Sequence, residues 1–524
     1  MNSKSYLYPK VGRRKRLVFF TLLIMIVFGT VIQTTARAEW IQKVDPWVLE
    51  TAVADTETEF LIVLDQQADL TAVANITDKT ERGTVVYAQL TAVAQQTQAP
   101  IIAELEAANV PYQRFWVTNM IWARGKRALI TKLAQRTDVA HIYANPTVKL
   151  DIIAGTKVER EIQSIPWGIT ITDAPAVWAA GVTGQGVVIG GQDTGYDWQH
   201  PALKPHYRGW DGTTADHGYN WHDAIHADNP GSNPGNPCGF DLLEPCDDHG
   251  HGTHTMGTMV GDDGMGNQIG MAPGAKWIAC RNMEQGWGTP ASYSECYEWF
   301  IAPYPQGADP FTDGDPSKAP HVINNSWSCT ASEGCTDPDV LKPIVENVNL
   351  AGIVTVHSAG NSGSSCSTVT TPAAIYDVSF TVGATDSSDT IAAFSSRGPV
   401  TVGDNNPAKP DISAPGVAVY SSILGGGYGT LSGTSMAAPH VAGLVALLIS
   451  ANPDLAGDVE ALELAIMQTA VARTSDQGCG GDSSTAVPNH VYGWGRIDAW
   501  TAYESVVVPP VSQELIFLPV LLNE

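Results

Sequence analysis

The chain has 524 residues, more than one average domain of about 100–200 residues, and its length suggests about three units. Apolar residues make up 44 %, which suffices for buried cores, whereas charged residues make up only 16 %. Together with 50 Gly and 33 Pro, this composition favours a loop-rich chain over coiled coils and long helical arrays. The formal net charge of -25 excludes nucleic acid as a partner, because its backbone is bound by clustered cations.

Charge also divides the chain into three segments. Residues 1–38 hold seven cations and no acid, residues 39–150 hold 10 cations and 13 acids, and residues 151–524 hold 12 cations and 41 acids. We therefore predict a basic leader, a near-neutral middle segment and a strongly acidic body. The body is expected to form one domain over 151–500, and we assign no role to the tail, residues 501–524.

The leader has the order of parts that a secretory signal peptide requires. A positive stretch at 10–16 precedes sixteen uncharged residues at 17–32, and Ala36-Arg37-Ala38 supplies small residues at a cleavage site. The alternative is an uncleaved membrane anchor, but sixteen residues fall short of the roughly 17–25 that a spanning helix needs. We expect cleavage after Ala38 and a secreted, extracellular protein without membrane association.

The middle segment, residues 39–150, is predicted to be a small α+β unit. The patterns in chain order are a strand-like run at 59–65, a helical pattern at 100–108, two alternating strand-like runs within 111–125, an amphipathic stretch at 126–138 and a strand-like run at 139–150. Their order, β-α-β-β-α-β, is that of the ferredoxin-like split pattern. By itself this pattern indicates no function.

In the acidic body, four stretches place a reactive side chain beside Gly or other small residues. The first, 186–203, is an apolar strand that ends at Asp193, where open α/β sheets carry their sites. The second, 247–261, holds His249, His251 and His254 before a helix-like run. Each has an ordinary alternative, since Asp193 could be a turn residue and the histidines could ligate zinc, although no HExxH motif is present.

The third stretch, 352–365, is a strand followed by Asn361, and the fourth, 429–450, is a long apolar helix headed by Ser435. Alone, Asn361 would be a turn residue and Ser435 a helix N-cap. Together the four stretches supply a nucleophile, a histidine base, an aspartate that orients the base and a donor for the oxyanion. Their chain order, Asp then His then Ser, is the subtilisin order among convergent triads.

At these residues the chain resembles the subtilases. The blocks QDTGYDWQHPAL, HGHGTHTMGT, SAGNSG and SGTSMAAPHVAG look like the family's four signatures, and GNQIGMAPGAKWIACRNM and VINNSWS resemble its bacillopeptidase F-like group. The likeness covers roughly residues 167–499. It implies an α/β fold, a subtilisin-like three-layer sandwich with a mostly parallel sheet, preceded by a ferredoxin-like propeptide.

The resemblance implies a role for each reactive residue. Ser435 corresponds to the nucleophile, His251 to the general base and Asp193 to the group that orients the imidazole. Asn361 corresponds to the oxyanion donor, together with the backbone N–H of Ser435. The family requires no cofactor for this chemistry, and its substrates are proteins or peptides. We expect a monomer whose own propeptide is an intramolecular inhibitor, removed by self-cleavage near Leu150.

The resemblance also implies where a substrate lies. An extended peptide would pair between two edge segments, Gly286-Trp287-Gly288 and Ser326-Trp327-Ser328, and Ser358-Ala359-Gly360 would line the pocket for the residue before the cut. Pairing of this kind is β-augmentation, which gives affinity without demanding one sequence. The small, uncharged wall of that pocket predicts a preference for bulky apolar or aromatic side chains.

Some positions depart from the family. Ser328 stands where relatives have Gly, which predicts a looser approach of the second edge segment, and Ala202 replaces an Asp of the family's strong calcium site. Asp262 and Asp263 are candidates for a structural calcium, with solvated surface as the alternative, so the metal content stays open.

All eight Cys lie in the acidic body, and an even number in an exported chain predicts disulfides. Close spacing favours Cys238 with Cys246 and Cys329 with Cys335, but the connectivity stays open, with zinc as the alternative. Two insertions rich in Gly, Pro and Asp, 205–247 and 301–320, predict surface loops around the cleft.

We therefore predict a secreted serine endopeptidase made as a self-processing precursor. The alternative from another class is a catalytically inactive extracellular binding protein on a subtilase scaffold. The usual mark of such a protein is the loss of a catalytic residue, and here all four candidates are present.

Overall fold

The structure is a computed structural model that describes residues 40–53, 55–157, 164–403 and 407–507. The predicted signal peptide lies outside the described residues, as does the predicted tail beyond residue 507. Among the described helices, Thr434–Ala451 is long and apolar enough to cross a membrane by length and composition alone. Because 89 % of it is buried inside the protein, it is a core helix of the fold.

Residues 40–144 form an antiparallel sheet of four strands together with helices. The elements in chain order are α1 (Pro46–Thr51), β1 (Glu57–Leu64), α2 (Lys79–Thr97), α3 (Ala99–Ala107), β2 (Tyr112–Phe115), β3 (Met120–Lys126), α4 (Arg127–Ala134) and β4 (Val139–Ala144). The strand order is β2-β3-β1-β4, and each neighbouring pair is antiparallel. From β1 onward these elements follow the expected β-α-β-β-α-β order, except that two helices, α2 and α3, lie between β1 and β2. Helix α3 lies at the predicted helix, and α1 precedes the pattern.

The long helix α2 is an element that the sequence patterns did not predict. Asp78 caps it by accepting the N–H of Glu81 at 2.8 Å. Its buried residues Val86 and Leu90 belong to a hydrophobic cluster that also contains Trp299 of the acidic body. The helix is therefore fixed by contacts with residues distant in the chain, which a local pattern does not reveal.

The remaining elements are β5, at the end of the middle segment, and those of the acidic body. In chain order they are β5 (Val148–Lys149), β6 (Ile153–Lys157), α5 (Trp167–Ile171), α6 (Ala174–Ala179), β7 (Val188–Asp193), β8 (Trp221–Asp223), α7 (His251–Val260), β9 (Lys276–Arg281), β10 (Met283–Glu284), β11 (Trp287–Gly288), α8 (Pro290–Ile301), β12 (Val322–Asn325), α9 (Lys342–Leu350), β13 (Val354–Ser358), β14 (Phe380–Thr385), β15 (Ile412–Pro415), β16 (Val419–Ile423), β17 (Gly427–Ser432), α10 (Thr434–Ala451), α11 (Val459–Gln468) and α12 (Ala499–Val507).

Seven of these strands form one parallel sheet with helices on both faces. The strand order is β15-β14-β13-β12-β7-β9-β8. Successive residues of β12 point to opposite faces, so Val322 packs in the cluster that holds α7 and α10 residues, whereas Ile323 packs in the cluster that holds α8 and α9 residues. The predicted α/β class with a mostly parallel sheet is confirmed.

The chain changes direction across this sheet between β7 and β12. From β7 it continues to β8 and β9 on one side, and from β12 it continues to β13, β14 and β15 on the other. Ligand sites of open α/β sheets lie outside the carboxyl ends of the strands at such a point. Asp193, the last residue of β7, and Ser326, which follows β12, both lie there.

The first predicted surface loop, 205–247, is not a loop throughout, because β8 within it is the edge strand of the parallel sheet. Asp223 of β8 is fully buried and accepts hydrogen bonds from the Arg281 guanidinium at 2.8 Å and 2.9 Å. This buried ion pair joins β8 to β9. The prediction was wrong here because the pairing partner lies in a distant part of the sequence.

All eight cysteines are paired. The two close pairs that the spacing favoured, Cys238–Cys246 and Cys329–Cys335, are both present. The other two are Cys280–Cys296 and Cys366–Cys479, the last of which joins residues 113 positions apart.

Removal of Cys366–Cys479 should destabilise the protein more than removal of Cys238–Cys246. The two bonds close spans of 113 and 8 residues, and the entropy of the unfolded chain restricted by a cross-link grows with the logarithm of the span. The difference in the free energy of unfolding is expected to be about 2 kcal/mol. Replacing each pair by Ser in a Ser435→Ala background, to exclude self-digestion, and unfolding in urea measures it. Equal losses from both pairs would contradict the argument.

Candidate active site

Asp193 and His251 form a buried pair at the carboxyl end of the parallel sheet. Asp193 ends β7 and is fully buried, and His251 is the first residue of α7. The imidazole Nδ1 lies 2.8 Å and 3.0 Å from the two carboxylate oxygens. The backbone N–H of Thr194 donates to Asp193 Oδ1 at 2.7 Å. A carboxylate this deep is costly unless it is paired and hydrogen-bonded, so these bonds fix His251 beside it.

Asp247 holds the start of α7 against β7. Its carboxylate accepts the backbone N–H groups of His249, Gly250 and Thr253 at 3.0, 2.7 and 3.0 Å and the hydroxyls of Thr253 and Thr194 at 2.6 and 2.9 Å. An aspartate at this end of a helix satisfies unpaired N–H groups and interacts favourably with the helix dipole. Gly252 permits the close contact, since a Cβ there would lie 2.2 Å from the Gly195 carbonyl oxygen.

Ser435 is the second residue of α10 and is 5 % exposed. Its hydroxyl donates to the Ser326 carbonyl at 3.2 Å, and the Ser326 hydroxyl donates to the Ser435 carbonyl at 3.0 Å. These reciprocal bonds hold the start of α10 against the end of β12. In this arrangement the Ser435 hydroxyl bonds to a carbonyl rather than to the imidazole of His251.

Asn361 lies beside the start of α10, with its amide orientation fixed by Thr434. The side-chain oxygen of Asn361 accepts both the backbone N–H and the hydroxyl of Thr434 at 2.9 Å each. The amide nitrogen is thereby directed into the cleft, where it donates to the carbonyl of Asp151 at 3.2 Å.

A segment of the same chain therefore lies across the site. Its strand β5 pairs antiparallel with β11, with Lys149 opposite Trp287. Leu150 continues this pairing by donating its N–H to the Gly286 carbonyl at 2.8 Å. After Asp151 the segment enters β6, which pairs antiparallel with β17, the strand that leads to Ser435. The segment crosses the site as an extended chain, held through its backbone.

The two predicted edge segments differ in this structure. Gly286-Trp287-Gly288 pairs with β5, as described above. In contrast, Ser326-Trp327-Ser328 is not part of the three-stranded sheet β10-β11-β5, in which β5 is an edge strand. Trp327 instead stacks on Tyr293 at 3.9 Å between ring centroids. On the open side of β5, the carboxylate of Glu333 accepts the N–H of Lys149 at 3.0 Å.

A cavity of about 560 Å³ lies beside the Asp151 carbonyl. Gly360 lines it, whereas Ser358 and Ala359, the other two residues expected to line the pocket for the residue before the cut, are buried at the end of β13 and do not line this cavity. Hydroxyl-bearing residues and Glu333 form much of the remaining wall. The wall of this cavity therefore carries a charge. The expected preference for bulky apolar or aromatic side chains was based on an uncharged wall.

Two other candidates of the motifs, His254 and Asp263, are hydrogen-bonded within the fold. His254 is fully buried and bonds through Nε2 to the Val419 carbonyl at 3.0 Å, and burial lowers its pKa to about 3. The Asp263 carboxylate accepts the Asn267 amide at 2.6 Å and the Tyr428 hydroxyl at 2.8 Å. Within the part of the chain that the structure describes, no group of three or more His, Cys, Asp and Glu side chains is arranged to hold a metal ion.

Comparison with known proteins identifies the family. Residues 184–495 match the Subtilase family of peptidase S8 domains. The chain belongs to the subtilase family. This match confirms the predicted resemblance to the subtilases, and the identity to Bacillopeptidase F confirms the likeness to its group.

Relatives of this subtilase include several serine peptidases. Bacillopeptidase F of Bacillus subtilis (strain 168) is 34 % identical over 408 residues, which are 75 % of this chain and 26 % of that protein. Serine protease AprX of the same strain is 31 % identical over 63 % of this chain and 70 % of its own length. Subtilisin DY of Bacillus licheniformis is 34 % identical over 56 % of this chain and 87 % of its own length. This subtilase thus spans only about a quarter of Bacillopeptidase F.

Three residues of the site were not identified from the sequence: Asp247, Thr434 and Glu333. Asp247 precedes the HGHGTH block at a position suited to a helix cap, and Thr434 directly precedes Ser435, so both carried a local signal. Thr330 and Glu333 have the T-x-x-E spacing of a capping box. The contact of Glu333 with Lys149, however, joins residues too far apart in the sequence for any such signal.

Replacing Asp247 by Ala should loosen the start of α7. The five hydrogen bonds described above would be lost, and the loss of a helix cap costs about 1–2 kcal/mol in the free energy of unfolding. Urea unfolding in a Ser435→Ala background measures the loss. The matched variant Asp247→Asn keeps one acceptor oxygen and should lose less free energy of unfolding. Equal stability of the Ala variant and the parent would contradict the role of Asp247.

Proposed function

We propose that this subtilase is a secreted serine endopeptidase that hydrolyses peptide bonds in proteins and is made as a self-processing precursor. One observation carries the proposal: the Asn361 amide donates to the peptide carbonyl of Asp151 at 3.2 Å, next to the start of the helix that bears Ser435. A donor in this position stabilises the negative charge that a carbonyl oxygen gains in a tetrahedral intermediate.

In the proposed reaction, Ser435 leaves its bond to the Ser326 carbonyl and attacks the substrate carbonyl carbon. His251 takes the hydroxyl proton on Nε2 and donates it to the leaving amine, and water then hydrolyses the acyl-enzyme. The bond from His251 Nδ1 to Asp193 supports this role, because it selects the tautomer whose Nε2 can accept a proton. Asn361 and the backbone N–H of Ser435, at the positive end of a helix dipole, stabilise the oxyanion.

The first substrate in this proposal is the chain itself, cut between Asp151 and Ile152. Support comes from the backbone pairing of β5 and Leu150 with the 286–288 segment, which continues to the Asp151 carbonyl at the Asn361 amide. This bond lies one residue beyond Leu150, near which we expected the cut. Residues 39–151 would then remain in the cleft as an inhibitor until they dissociate.

Hydrogen bonds between the two units support the inhibitor role. Glu298 of α8 is 1 % exposed, and its Oε2 accepts the N–H groups of Trp116 and Val117 at 2.5 Å and 3.0 Å. The Asn347 amide donates to the Val117 carbonyl at 2.7 Å. These contacts lie away from Ser435, so the proposed propeptide is held at a second place besides the cleft.

An extracellular location is part of the proposal. Four disulfides persist in an oxidising compartment and are rare in the cytosol, which supports export by the predicted signal peptide. We further propose that the protein acts as a monomer and that its chemistry needs no cofactor, because the proposed roles use only side chains and backbone groups of this chain.

Replacing Ser435 by Ala should abolish both self-processing and reaction with a fluorophosphonate. Loss of the nucleophile lowers turnover by about 10⁶-fold, so the purified variant should remain at its precursor mass. The self-processed parent should begin at Ile152 on N-terminal sequencing. Ser450→Ala, at the far end of the same helix, is the matched control and should process normally. A folded parent that takes no label after removal of residues 39–151 would refute the enzyme proposal.

The affinity of the cut propeptide for the rest of the protein should fall as the pH rises from about 4.5 to about 8. Burial raises the pKa of Glu298 from 4.5 to about 8 in the complex. Separation of the units removes part of this burial and should lower the pKa, so the complex should bind more protons in this range than the separated units do. The affinity therefore falls with rising pH, by at most about tenfold per pH unit.

Glu298→Gln isolates this effect, because the neutral amide keeps an acceptor oxygen for Trp116 and Val117. The variant should release the propeptide with a weaker pH dependence than the parent over this range. The amount of propeptide that stays bound to the self-processed protein can be measured by size-exclusion chromatography between pH 5 and 8. Identical pH profiles for the two proteins would show that Glu298 is not the titrating group.

A further inference from the structure

The loop between Cys329 and Cys335 brings a carboxylate to the cleft. Within this disulfide-closed loop, Ala331–Glu333 form a single 3-10 turn. Glu333 Oε2 accepts the backbone N–H of Thr330 at 3.0 Å and its hydroxyl at 2.6 Å. This reciprocal capping box fixes the orientation of the carboxylate.

The other carboxylate oxygen faces the segment in the cleft. Glu333 Oε1 accepts the backbone N–H of Lys149 at 3.0 Å. Successive N–H groups of an extended strand point to opposite sides, and that of Leu150 is bonded to Gly286 on the β11 side. The Lys149 N–H therefore points away from β11. Glu333 binds the backbone on the side where Ser326-Trp327-Ser328 was expected to do so.

Glu333 also lines the cavity beside Asp151. Burial, and after it the nearby charge of Glu333, raise the pKa of the Asp151 carboxyl. Glu333 thus acts electrostatically on the side chain of the residue that precedes the proposed cut. A negative charge at that place favours a cationic side chain and disfavours an anionic one.

We propose that Glu333 is a substrate-binding residue of this subtilase, with two effects on peptide substrates. Its carboxylate accepts the backbone N–H of the third residue before the cleaved bond. Its charge favours Lys or Arg over Glu or Asp at the residue directly before that bond. This inference rests on the proposed endopeptidase function. The simpler role, in which Glu333 only caps its loop, predicts neither effect.

A pair of peptides separates the two roles of Glu333. One is an ordinary peptide, and the other is its depsipeptide, in which an ester oxygen replaces the N–H that Glu333 would accept. A hydrogen bond to a charged group contributes about 1.5–3 kcal/mol, so the parent should lose about 10- to 100-fold in kcat/KM on the ester. Glu333→Ala should be slower than the parent on the amide peptide and should lose threefold or less on changing to the ester.

Thr330→Val is the matched control for the capping role. It removes the hydroxyl bond to Glu333 Oε2 but keeps the acceptor for substrate, so it should retain most of the ester penalty of the parent. All proteins are used as full-length chains that have processed themselves, and titration with a fluorophosphonate corrects for the active fraction. Comparison of each enzyme on both peptides removes any general loss of activity caused by a distorted loop.

The effect of charge has its own measurement. The ratio of kcat/KM for a peptide with Lys before the cut to that for one with Glu should fall about three- to fivefold in Glu333→Gln relative to the parent. If Glu333→Ala keeps the full ester penalty, or if the Lys-to-Glu ratio is unchanged in Glu333→Gln, the inference about Glu333 is wrong while the peptidase function stands. If the parent hydrolyses none of these peptides, both proposals fail.

Discussion

The site depends on one buried charge, the Asp193 carboxylate at the end of β7. An unpaired carboxylate with no solvent exposure would cost several kcal/mol, so the fold has to supply donors around it. His251 and Thr194 supply them, and this requirement draws the start of α7 against the end of the strand. Gly252 makes the contact possible, because any side chain there would collide with the carbonyl of Gly195. The position of the histidine thus follows from the need to satisfy this carboxylate.

The same end of the sheet gathers the other groups because the chain reverses its direction between β7 and β12. Strands on either side of this point end in residues that face one cleft, and α10 begins there with its positive dipole end toward the cleft. Thr434 then sets the amide of Asn361, while Ser326 docks Ser435. In the proposed reaction, the amide of Asn361 is already oriented toward the carbonyl oxygen that gains charge, whereas the Ser435 hydroxyl has to leave the Ser326 carbonyl.

Backbone recognition explains how one cleft can hold the chain's own segment and also accept other peptides. The contacts of β5 and Leu150 with the 286–288 segment use main-chain groups that every residue except proline can offer. In the proposed function, selectivity comes from side chains around the cavity beside Asp151. Several described residues of the acidic body line this cavity beside the segment 149–152, and among them Glu333 is the charged one. A disulfide closes the loop that carries Glu333.

The sequence alone determined what depends on short-range pattern: the family motifs, the α+β order of the first unit and the spacing that favoured the two close disulfides. The parallel-sheet class followed from the family resemblance that these motifs carry. Strand ends, helix starts and glycine turns leave local signals, so Asp193, His251, Asn361 and Ser435 could be selected before any coordinates. The tertiary structure decided what depends on residues far apart in the chain. Helix α2 has a buried face that packs against distant residues, and edge strand β8 has a buried charge that a distant residue pairs. Glu333 likewise accepts the N–H of the distant Lys149. No local pattern encodes these partners.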